Sequence, residues 1–333
     1  MPSDRMWGYW TEHKLQMLAE YLPAFTSASK RAGSTLYLDL FAGDTRNISR
    51  TTGAVIDGSP RVALNTVPAF DHVVLFELPA RAARLQAELA AEFPGRKITV
   101  VAGDCNTTLP GALNNLRDVA WAPSFALVDQ YAAEVHWSSL AALSDFRRST
   151  RGLKTELWLL FAPAMITRGL ASETDEAVAD FTARVDAMFG SADWRDIHEA
   201  RLADELPPEQ YRDELVNLMR WRLENVLGYR TTHAFDMRNV SGVPLYSMIF
   251  ATSHPTGDKV MDWVYEKAAR IRPQMQAEAA SKRKAKRIAE REATSGMASL
   301  FDDIEPVVKR KEAGLYLHMP PATPWRRGSP ASG

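Results

Sequence analysis

The chain has 333 residues, 46% of them hydrophobic, which suffices for one sizeable core with an insertion or a small second domain. Its 40 basic and 41 acidic residues give a net charge of −1, so any contact with nucleic acid has to come from a local patch. The single cysteine, Cys105, excludes an internal disulfide and a cysteine-based metal cluster. Neither a membrane-spanning apolar run nor a signal peptide is present, and the histidines lack metal-ligand spacing, so we expect a cytoplasmic protein without a metal site.

The first predicted element is an amphipathic helix over residues 10–26, in which Leu15, Leu18 and Leu22 recur at helical spacing. Lys14 lies on the leading turn of this helix. Two interpretations stay open for the lysine: an ordinary solvated side chain, or a residue that binds substrate.

The stretch TLYLDLFAGDT at 35–45 predicts a strand buried on both faces, followed by a tight turn. Asp39 is the polar exception, and we expect it to face the crevice where open α/β sheets bind ligands, because burying an unpaired carboxylate is costly. Phe41, Ala42 and Gly43 form the turn, whose small residues allow a ligand to approach the backbone. The turn is not a dinucleotide fingerprint. It suits a ligand with a cationic amino-acid end, as in class I methyltransferases that use S-adenosylmethionine (SAM).

Residues 46–57 predict a polar loop, and a helix follows it. Ser59 is predicted as the N-cap of this helix, with Pro60 at the first helical position. The alternative is that the N–H groups of this helix start bind an anionic group of substrate or cofactor.

Three more apolar runs close with an acid, and a fifth run follows: HVVLFE at 72–77, KITVVAGD at 97–104, FALVD at 125–129 and TELWLLF at 155–161. Helical patterns separate the runs, which predicts βαβ units of a parallel sheet. Asp39, Glu77, Asp104 and Asp129 would then line one rim of that sheet. Each acid has a helix-cap or loop role as its alternative. Cys105 is predicted as a small helix-start residue rather than a nucleophile.

After the fifth run, residues 162–228 are too long for a simple crossover and predict a helical insertion that covers the rim. Residues 231–253 then predict a hairpin, which ends the sheet with an antiparallel strand. A closing helix is predicted over 257–272.

The composition changes near Pro273, so we assign residues 1–272 to one α/β domain and residues 273–333 to a basic helix with a proline-containing tail. Lysines and arginines are concentrated at 282–291. This run is either a solvated helix face or a contact for nucleic acid.

Several separated segments over about residues 9 to 272 together resemble the three-Cys-motif partner (TcmP) proteins. The segments are Lys14-Leu15 with Leu18 and Tyr21-Leu22, LYLDLFAG at 36–43, GSPRVAL at 58–64, FE at 76–77, GDCN at 103–106, FALVD at 125–129 and PLYSMIFATSHPTG at 244–257. The resemblance implies a Rossmann-like class I methyltransferase fold, a SAM pocket and a partner protein with a three-cysteine motif. It also implies gene neighbourhoods that include defence against foreign nucleic acid.

The sequence departs from the family pattern at two turns. Members usually carry FAGPG where this chain has FAGDT at 41–45, and DPFG where it has DQYA at 129–132. The first change puts a β-branched side chain where the ligand approaches, and the second removes the proline that fixes the catalytic turn. Both changes bear on catalysis more than on fold.

The leading hypothesis is a SAM-dependent methyltransferase that acts on nucleic acid. In this hypothesis the turn after the first strand holds the amino-acid end of SAM, Glu77 binds the ribose and the Asp104-Cys105 segment binds the adenine. The predicted cofactor-binding residues are Asp39, Phe41, Ala42, Gly43, Glu77, Asp104 and Cys105, the predicted catalytic residues are Asp129, Gln130 and Tyr131, and the predicted substrate-binding residues are Lys14, Ser59 and Pro60.

For the predicted catalytic residues, Asp129 and the Gln130 carbonyl would accept protons from an amino group, and Tyr131 would stack on an unpaired base. Two alternatives stay open. One is a SAM-binding scaffold that does no chemistry and serves a partner, and the other is a nucleic-acid-processing nuclease.

Overall fold

The computed structural model of the chain describes residues 6–172, 174–295 and 317–326. The strands in this part of the chain are β1 (Met6–Trp7), β2 (Leu36–Asp39), β3 (Arg46–Ser49), β4 (Val55–Asp57), β5 (His72–Glu77), β6 (Ile98–Ala102), β7 (Ser124–Val128), β8 (Glu156–Phe161), β9 (Thr231–Arg238) and β10 (Pro244–Thr252). The α-helices are α1 (Tyr9–Ser29), α2 (Ser59–Leu64), α3 (Pro79–Glu92), α4 (Cys105–Asn115), α5 (Trp137–Phe146), α6 (Pro163–Leu170), α7 (Asp175–Phe189), α8 (Trp194–Leu202), α9 (Pro208–Asn225) and α10 (Pro255–Ser295).

The central sheet has seven strands in the order β6-β5-β2-β7-β8-β10-β9. Its first five strands along the chain are parallel, and β10 runs antiparallel to both of its neighbours, β8 and β9. The predicted fold is therefore confirmed: a Rossmann-like class I methyltransferase fold, with a mostly parallel sheet that ends in an antiparallel hairpin.

Two helical layers cover the sheet because alternate residues of its buried strands point to opposite faces. On β2, Leu36 and Leu38 belong to one hydrophobic cluster and Tyr37 belongs to the other. The first cluster includes apolar side chains of α4, α5, α7 and α9, and the second includes those of α1, α3 and α10. The predicted helical insertion is present as α6 to α9, and it packs on the first face.

The segment predicted as a polar loop, residues 46–57, is instead a hairpin of β3 and β4, and that prediction was wrong. The physical reason is that this segment pairs with a strand that is distant along the chain. The short strand β1 pairs with β3 in parallel, and the Ser49 hydroxyl donates to Glu12 of α1 over 2.5 Å. Three strands thus form a small second sheet beside α1.

The closing helix, predicted to end at Arg272, continues through Pro273 as α10. Pro273 removes one backbone hydrogen bond of the helix because it has no N–H. Contacts on both sides hold the helix at this point: the Arg272 guanidinium lies over the Phe235 ring at 5.6 Å, and Gln276 donates to a backbone oxygen of the β9–β10 turn over 2.8 Å. The predicted boundary at 273 therefore falls inside one helix, and Lys282, Arg283, Lys286 and Arg287 of the basic run are exposed on its second half.

Part of the proline-containing tail returns to the sheet. Leu317 exchanges two backbone hydrogen bonds, of 2.8 and 2.9 Å, with Ala234 of the edge strand β9. Trp325 is buried with the first hydrophobic cluster. At the opposite edge, the Val100 N–H of β6 donates over 3.0 Å to the side-chain oxygen of Gln86. The tail residues 296–316 and 327–333 lie outside the described residues.

Among the helices in the described ranges, none is both long enough and apolar enough to cross a membrane.

Candidate functional site

The four predicted acids lie at the carboxyl ends of four adjacent strands. Asp39 pairs with Leu75 of β5 and with Leu127 of β7. Another acid follows two residues after each of these partners: Glu77 on β5 and Asp129 after β7. The strand partner of Glu77 stands two residues before Asp104. The strand registers thus bring these carboxylates to one edge of the sheet, which we call the acid rim.

Asp39 is fully buried, and its carboxylate stabilises the turn that follows it. Its carboxylate accepts hydrogen bonds from the Phe41 N–H and the Tyr37 hydroxyl, both over 3.2 Å, and from the Ser59 hydroxyl. Burial raises the pKa of Asp39 to about 7, the Ser59 hydrogen bond opposes this shift, and the nearby charge of Asp129 adds to it. The structure therefore places Asp39 beneath the crevice, where it shapes the turn and does not itself reach a ligand.

The start of α2 differs from its prediction. Gly58, and not Ser59, is the N-cap, and the Ser59 hydroxyl is turned inward to Asp39. Pro60 is also buried. A Cβ atom at Gly58 would lie 2.1 Å from the carbonyl oxygen of Asp44, so only glycine allows this close packing of the two turns. The predicted substrate contacts of Ser59 and Pro60 are not on the accessible surface.

Gly43 and Glu77 join the first two strands of the rim. Gly43 has φ +65°, and its N–H donates to one Glu77 oxygen over 2.8 Å. The other Glu77 oxygen accepts from the Leu78 N–H and from the Arg81 guanidinium, each over 2.8 Å. The oxygen bound to Arg81 also accepts from Arg81 Nε over 3.1 Å, so the acceptor position left for a ligand hydroxyl is on the oxygen that accepts from Gly43, in a side chain that is 4% exposed. The N–H of Ala42, in the same turn as Gly43, donates to a backbone carbonyl of β5.

Asp104 is the exposed N-cap of α4, and its carboxylate accepts from the Asn106 N–H over 2.8 Å. Burial raises the pKa of the adjacent Cys105 to about 12, which keeps the thiol protonated and agrees with its predicted structural role. Sequence reasoning missed Asn106. Its side chain donates to the Glu134 carbonyl and accepts from the His136 N–H, both over 2.8 Å, so it ties α4 to the turn after β7.

Lys14 and Asp129, predicted separately, form an ion pair between α1 and the end of β7. The side chain of Lys14 is 8% exposed and that of Asp129 is 23% exposed. The ion pair uses only one of the two carboxylate oxygens, Oδ2. Lys14 is therefore not a solvated surface lysine.

The two residues after Asp129 are placed differently from each other. The Gln130 side chain is buried, donates to the Leu160 carbonyl over 3.1 Å and accepts from the N–H groups of Glu134 and Val135. Its amide thus takes part in holding the turn, and only its backbone carbonyl remains for the predicted catalytic role. Tyr131 is 67% exposed, as a stacking platform requires.

Two further polar residues lie near this part of the site, and no pattern in the sequence pointed to them. His13 is 1% exposed, stacks edge-on against Phe235, and has a buried Nε2 without a hydrogen-bond partner among the described residues. Burial lowers the pKa of His13 to about 4, so it is neutral at pH 7. The hydroxyl of Tyr246, whose pKa is raised by burial and by Asp129, likewise finds no partner in the described part of the chain.

Within residues 6–172, 174–295 and 317–326, no group of three or more His, Cys, Asp or Glu side chains is arranged to hold a metal ion. The described residues thus offer no ligand set in favour of the nuclease alternative.

No protein-family model and no curated protein matches the chain. Among solved structures, the chain is similar to TYW2 of M. jannaschii in complex with AdoMet, which is another name for SAM. The likeness has a TM-score of 0.36 and 11% sequence identity, and it covers 75% of this chain and 78% of that one. At this level it carries no argument about activity. The strand order gives the fold, a Rossmann-like class I methyltransferase sheet, with four acids along the edge at which its parallel strands end.

Proposed function

We propose that the protein is a SAM-dependent methyltransferase that acts on nucleic acid, with a three-Cys-motif protein as its partner and a role in defence against foreign nucleic acid. The observation that carries the proposal is the acid rim, in which four adjacent strands each end at a carboxylate around a glycine turn. Ligands of open α/β sheets bind at this edge. The nucleic-acid target, the partner and the defence role rest on the sequence resemblance.

The residues of the rim fit SAM in three respects. At Gly43 a Cβ would have the Phe41 carbonyl oxygen at 3.9 Å as its only near neighbour, so a ligand has room above this turn. Glu77 has one acceptor position left for a ribose hydroxyl, on the oxygen that accepts from Gly43, and the exposed carboxylate of Asp104 would accept from the adenine amino group. Asp39 acts indirectly, because its hydrogen bond to Phe41 fixes the turn.

Bound SAM supplies an already activated methyl group, so the work of the protein is to orient the acceptor and to exclude water. Lys14 holds one oxygen of Asp129 in place, and the second oxygen is left to accept a proton from an acceptor amino group. Tyr131 is exposed beside it and would stack on the unpaired base.

A second candidate is a SAM-binding scaffold without catalysis. The observation in its favour is the Gln130 side chain, which takes the place of the family's proline turn by binding three backbone groups. A turn held by these hydrogen bonds is stable without a bound methyl acceptor.

The experiment that tests the proposal starts with a calorimetric titration of the full chain with SAM and with its demethylated product. Total cellular RNA and DNA are then incubated with the protein and SAM, with and without the partner, and analysed by mass spectrometry. Binding with a new methylated nucleoside supports the enzyme, and binding without any product supports the scaffold. No heat at millimolar SAM would overturn both.

A further inference from the structure

The end of the central sheet opposite the acid rim holds a groove. Two adjoining clefts of about 420 and 540 Å³ lie where β7 and β8 begin and β10 ends. They share Arg151, Leu153 and His254 as lining residues, so they form one continuous depression. We call it the arginine groove, after its lining residues Arg31, Arg147, Arg148, Arg151 and Arg230.

The groove is strongly cationic because its arginines lack ion-pair partners. None of the five forms an ion pair with a carboxylate in the ranges that the structure describes. One carboxylate, that of Glu156, is among the lining residues. It is buried at the floor, where the hydroxyls of Tyr21 and Thr252 donate to it over 2.5 and 2.7 Å. Its hydrogen bonds come from these hydroxyls, and its charge acts on Arg147 without a direct ion pair, opposing the lowering of the Arg147 pKa by burial. The guanidinium groups of Arg148 and Arg151 have no ion pair in the described part of the chain and are left for a ligand.

Two buried polar atoms of the groove lack partners in the described structure: Nε of Arg147 and Oγ of Ser253. Buried polar groups in folded proteins almost always have a hydrogen-bond partner, so two such atoms at one groove are an observation independent of its charge. Both can donate, and an anionic ligand with several oxygens supplies the acceptors they lack.

An aromatic ring stands beside the arginines. Trp121 lines the larger cleft and is 48% exposed, although a tryptophan side chain is normally well buried. Its indole N–H donates to the Asp118 carbonyl over 2.9 Å, which fixes the ring and leaves the π face for stacking. Arginine forks recognise phosphate, and an indole face recognises a base, so their juxtaposition selects for a ligand that carries both.

We propose that the arginine groove binds a nucleotide unit, with its phosphate on Arg147, Arg148 and Arg151 and its base on Trp121. A volume of about 540 Å³ lies in the range of small-ligand sites. The nucleotide comes either from a single-stranded nucleic acid or from a free nucleotide, and both present the same chemistry. The groove lies at the other end of the sheet from the acid rim, and its occupation does not depend on SAM or on methyl transfer.

The test measures binding of the full chain to a fluorescein-labelled single-stranded 12-mer by anisotropy, without SAM and at several salt concentrations. Arg148→Gln with Arg151→Gln is the main variant, because both side chains are exposed and neither guanidinium forms an ion pair among the described residues. We expect affinity at low salt to fall about 10- to 100-fold, and the salt slope to flatten by about 0.7 for each phosphate that the variant no longer neutralises. Trp121→Ala should weaken binding about 5- to 150-fold without changing the salt slope, because it removes stacking alone.

The matched control is Arg168→Gln with Arg184→Gln, which removes the same charge from exposed arginines outside the groove. Competition with adenosine monophosphate distinguishes the two sources: full displacement at micromolar concentration indicates a free nucleotide, and weak displacement indicates a strand. Equal loss in the control, unchanged binding in the groove variants, or displacement by inorganic phosphate as effective as that by the nucleotide would overturn the proposal. Loss on replacing Lys282 and Lys286 alone would do the same, in favour of the α10 basic run.

Discussion

The two ends of the central sheet carry opposite charge and satisfy it in opposite ways. At the acid rim, Asp39, Glu77, Asp104 and Asp129 each accept a hydrogen bond or an ion pair from the protein. In the arginine groove, the guanidinium groups have no carboxylate ion pair among the described residues. The carboxylates of the acid rim are held in place by protein donors. The guanidinium groups of the groove lack ion pairs and can bind an anionic ligand.

This separation is invisible in the net charge of −1, which sums 40 basic and 41 acidic residues over the whole chain. A chain of almost zero net charge can therefore carry an acidic end and a basic end on one sheet. Substitutions at one end at a time test whether the two ends differ in this way.

The largest expected effect concerns the buried carboxyl of Asp39, whose pKa is raised from 3.8 to about 7. A raised carboxyl pKa favours the folded state below the unfolded pKa, and this advantage is lost as the pH rises from about 4 to about 7. Asp39→Asn does not titrate, so the variant should gain stability relative to the wild type over this window, by on the order of 4 kcal/mol. Urea unfolding at several pH values measures the difference. Parallel curves for the two proteins would show that the pKa of Asp39 does not differ between the folded and unfolded states.

The next effect concerns Asp129 and rests on the proposed function. Asp129→Asn should reduce turnover by at least about 100-fold and leave SAM affinity within a few-fold of wild type, because its contact to the acceptor acts mainly in the transition state. Turnover, affinity and melting temperature are measured on the same preparations. Equal losses of turnover and of SAM affinity would instead place Asp129 in the cofactor site.

Glu77→Ala should weaken SAM binding by about 1 to 3 kcal/mol, through the loss of charge-assisted hydrogen bonds. Arg81→Gln is the matched control, because it removes the exposed partner of the same ion pair and leaves the carboxylate in place. Calorimetry with SAM compares the two variants. If Arg81→Gln weakens binding as much as Glu77→Ala does, the effect comes from the shape of the turn.

The smallest effect reports on the groove. Burial first, and then the charges of Arg147 and Arg151, lower the pKa of His254. Arg151→Gln should therefore raise the pKa of His254, and so should binding of a nucleotide beside it. The titration of the His254 ring by NMR measures both, with Arg168→Gln as the control. If Arg151→Gln leaves the pKa of His254 unchanged, the charge of Arg151 does not act on His254.

The sheet and its acids were predictable because each strand carries its own local signal. An apolar run with an acid at its end is read from consecutive residues, and the rim follows from the rule that parallel strands end at one edge. The roles within the rim were less predictable. Asp39 was expected to face the crevice, yet the Tyr37 and Ser59 hydroxyls hold it inside, and Ser59 comes from a different element.

Pairings between distant parts of the chain explain what the sequence did not reveal. The hairpin of β3 and β4 depends on β1, and the continuation of α10 through Pro273 depends on contacts with β9 and its turn. The arginine groove combines three arginines of residues 147–151 with Arg31, Trp121 and Arg230, which are far away along the chain. The composition of the sequence therefore indicates the longer basic run at 282–291 and does not indicate the groove.

The backbone bridge between Leu317 and Ala234 has a consequence for how the protein meets other chains. An edge strand with free N–H and C=O groups is a template for adding a foreign strand, which leads to aggregation or to β-augmentation by a peptide. The tail pairs with one residue of that template on β9, Ala234, and the Gln86 side chain binds one donor on β6 at the far edge. A truncation before Leu317 would therefore expose the backbone N–H and C=O of Ala234 for pairing with another strand.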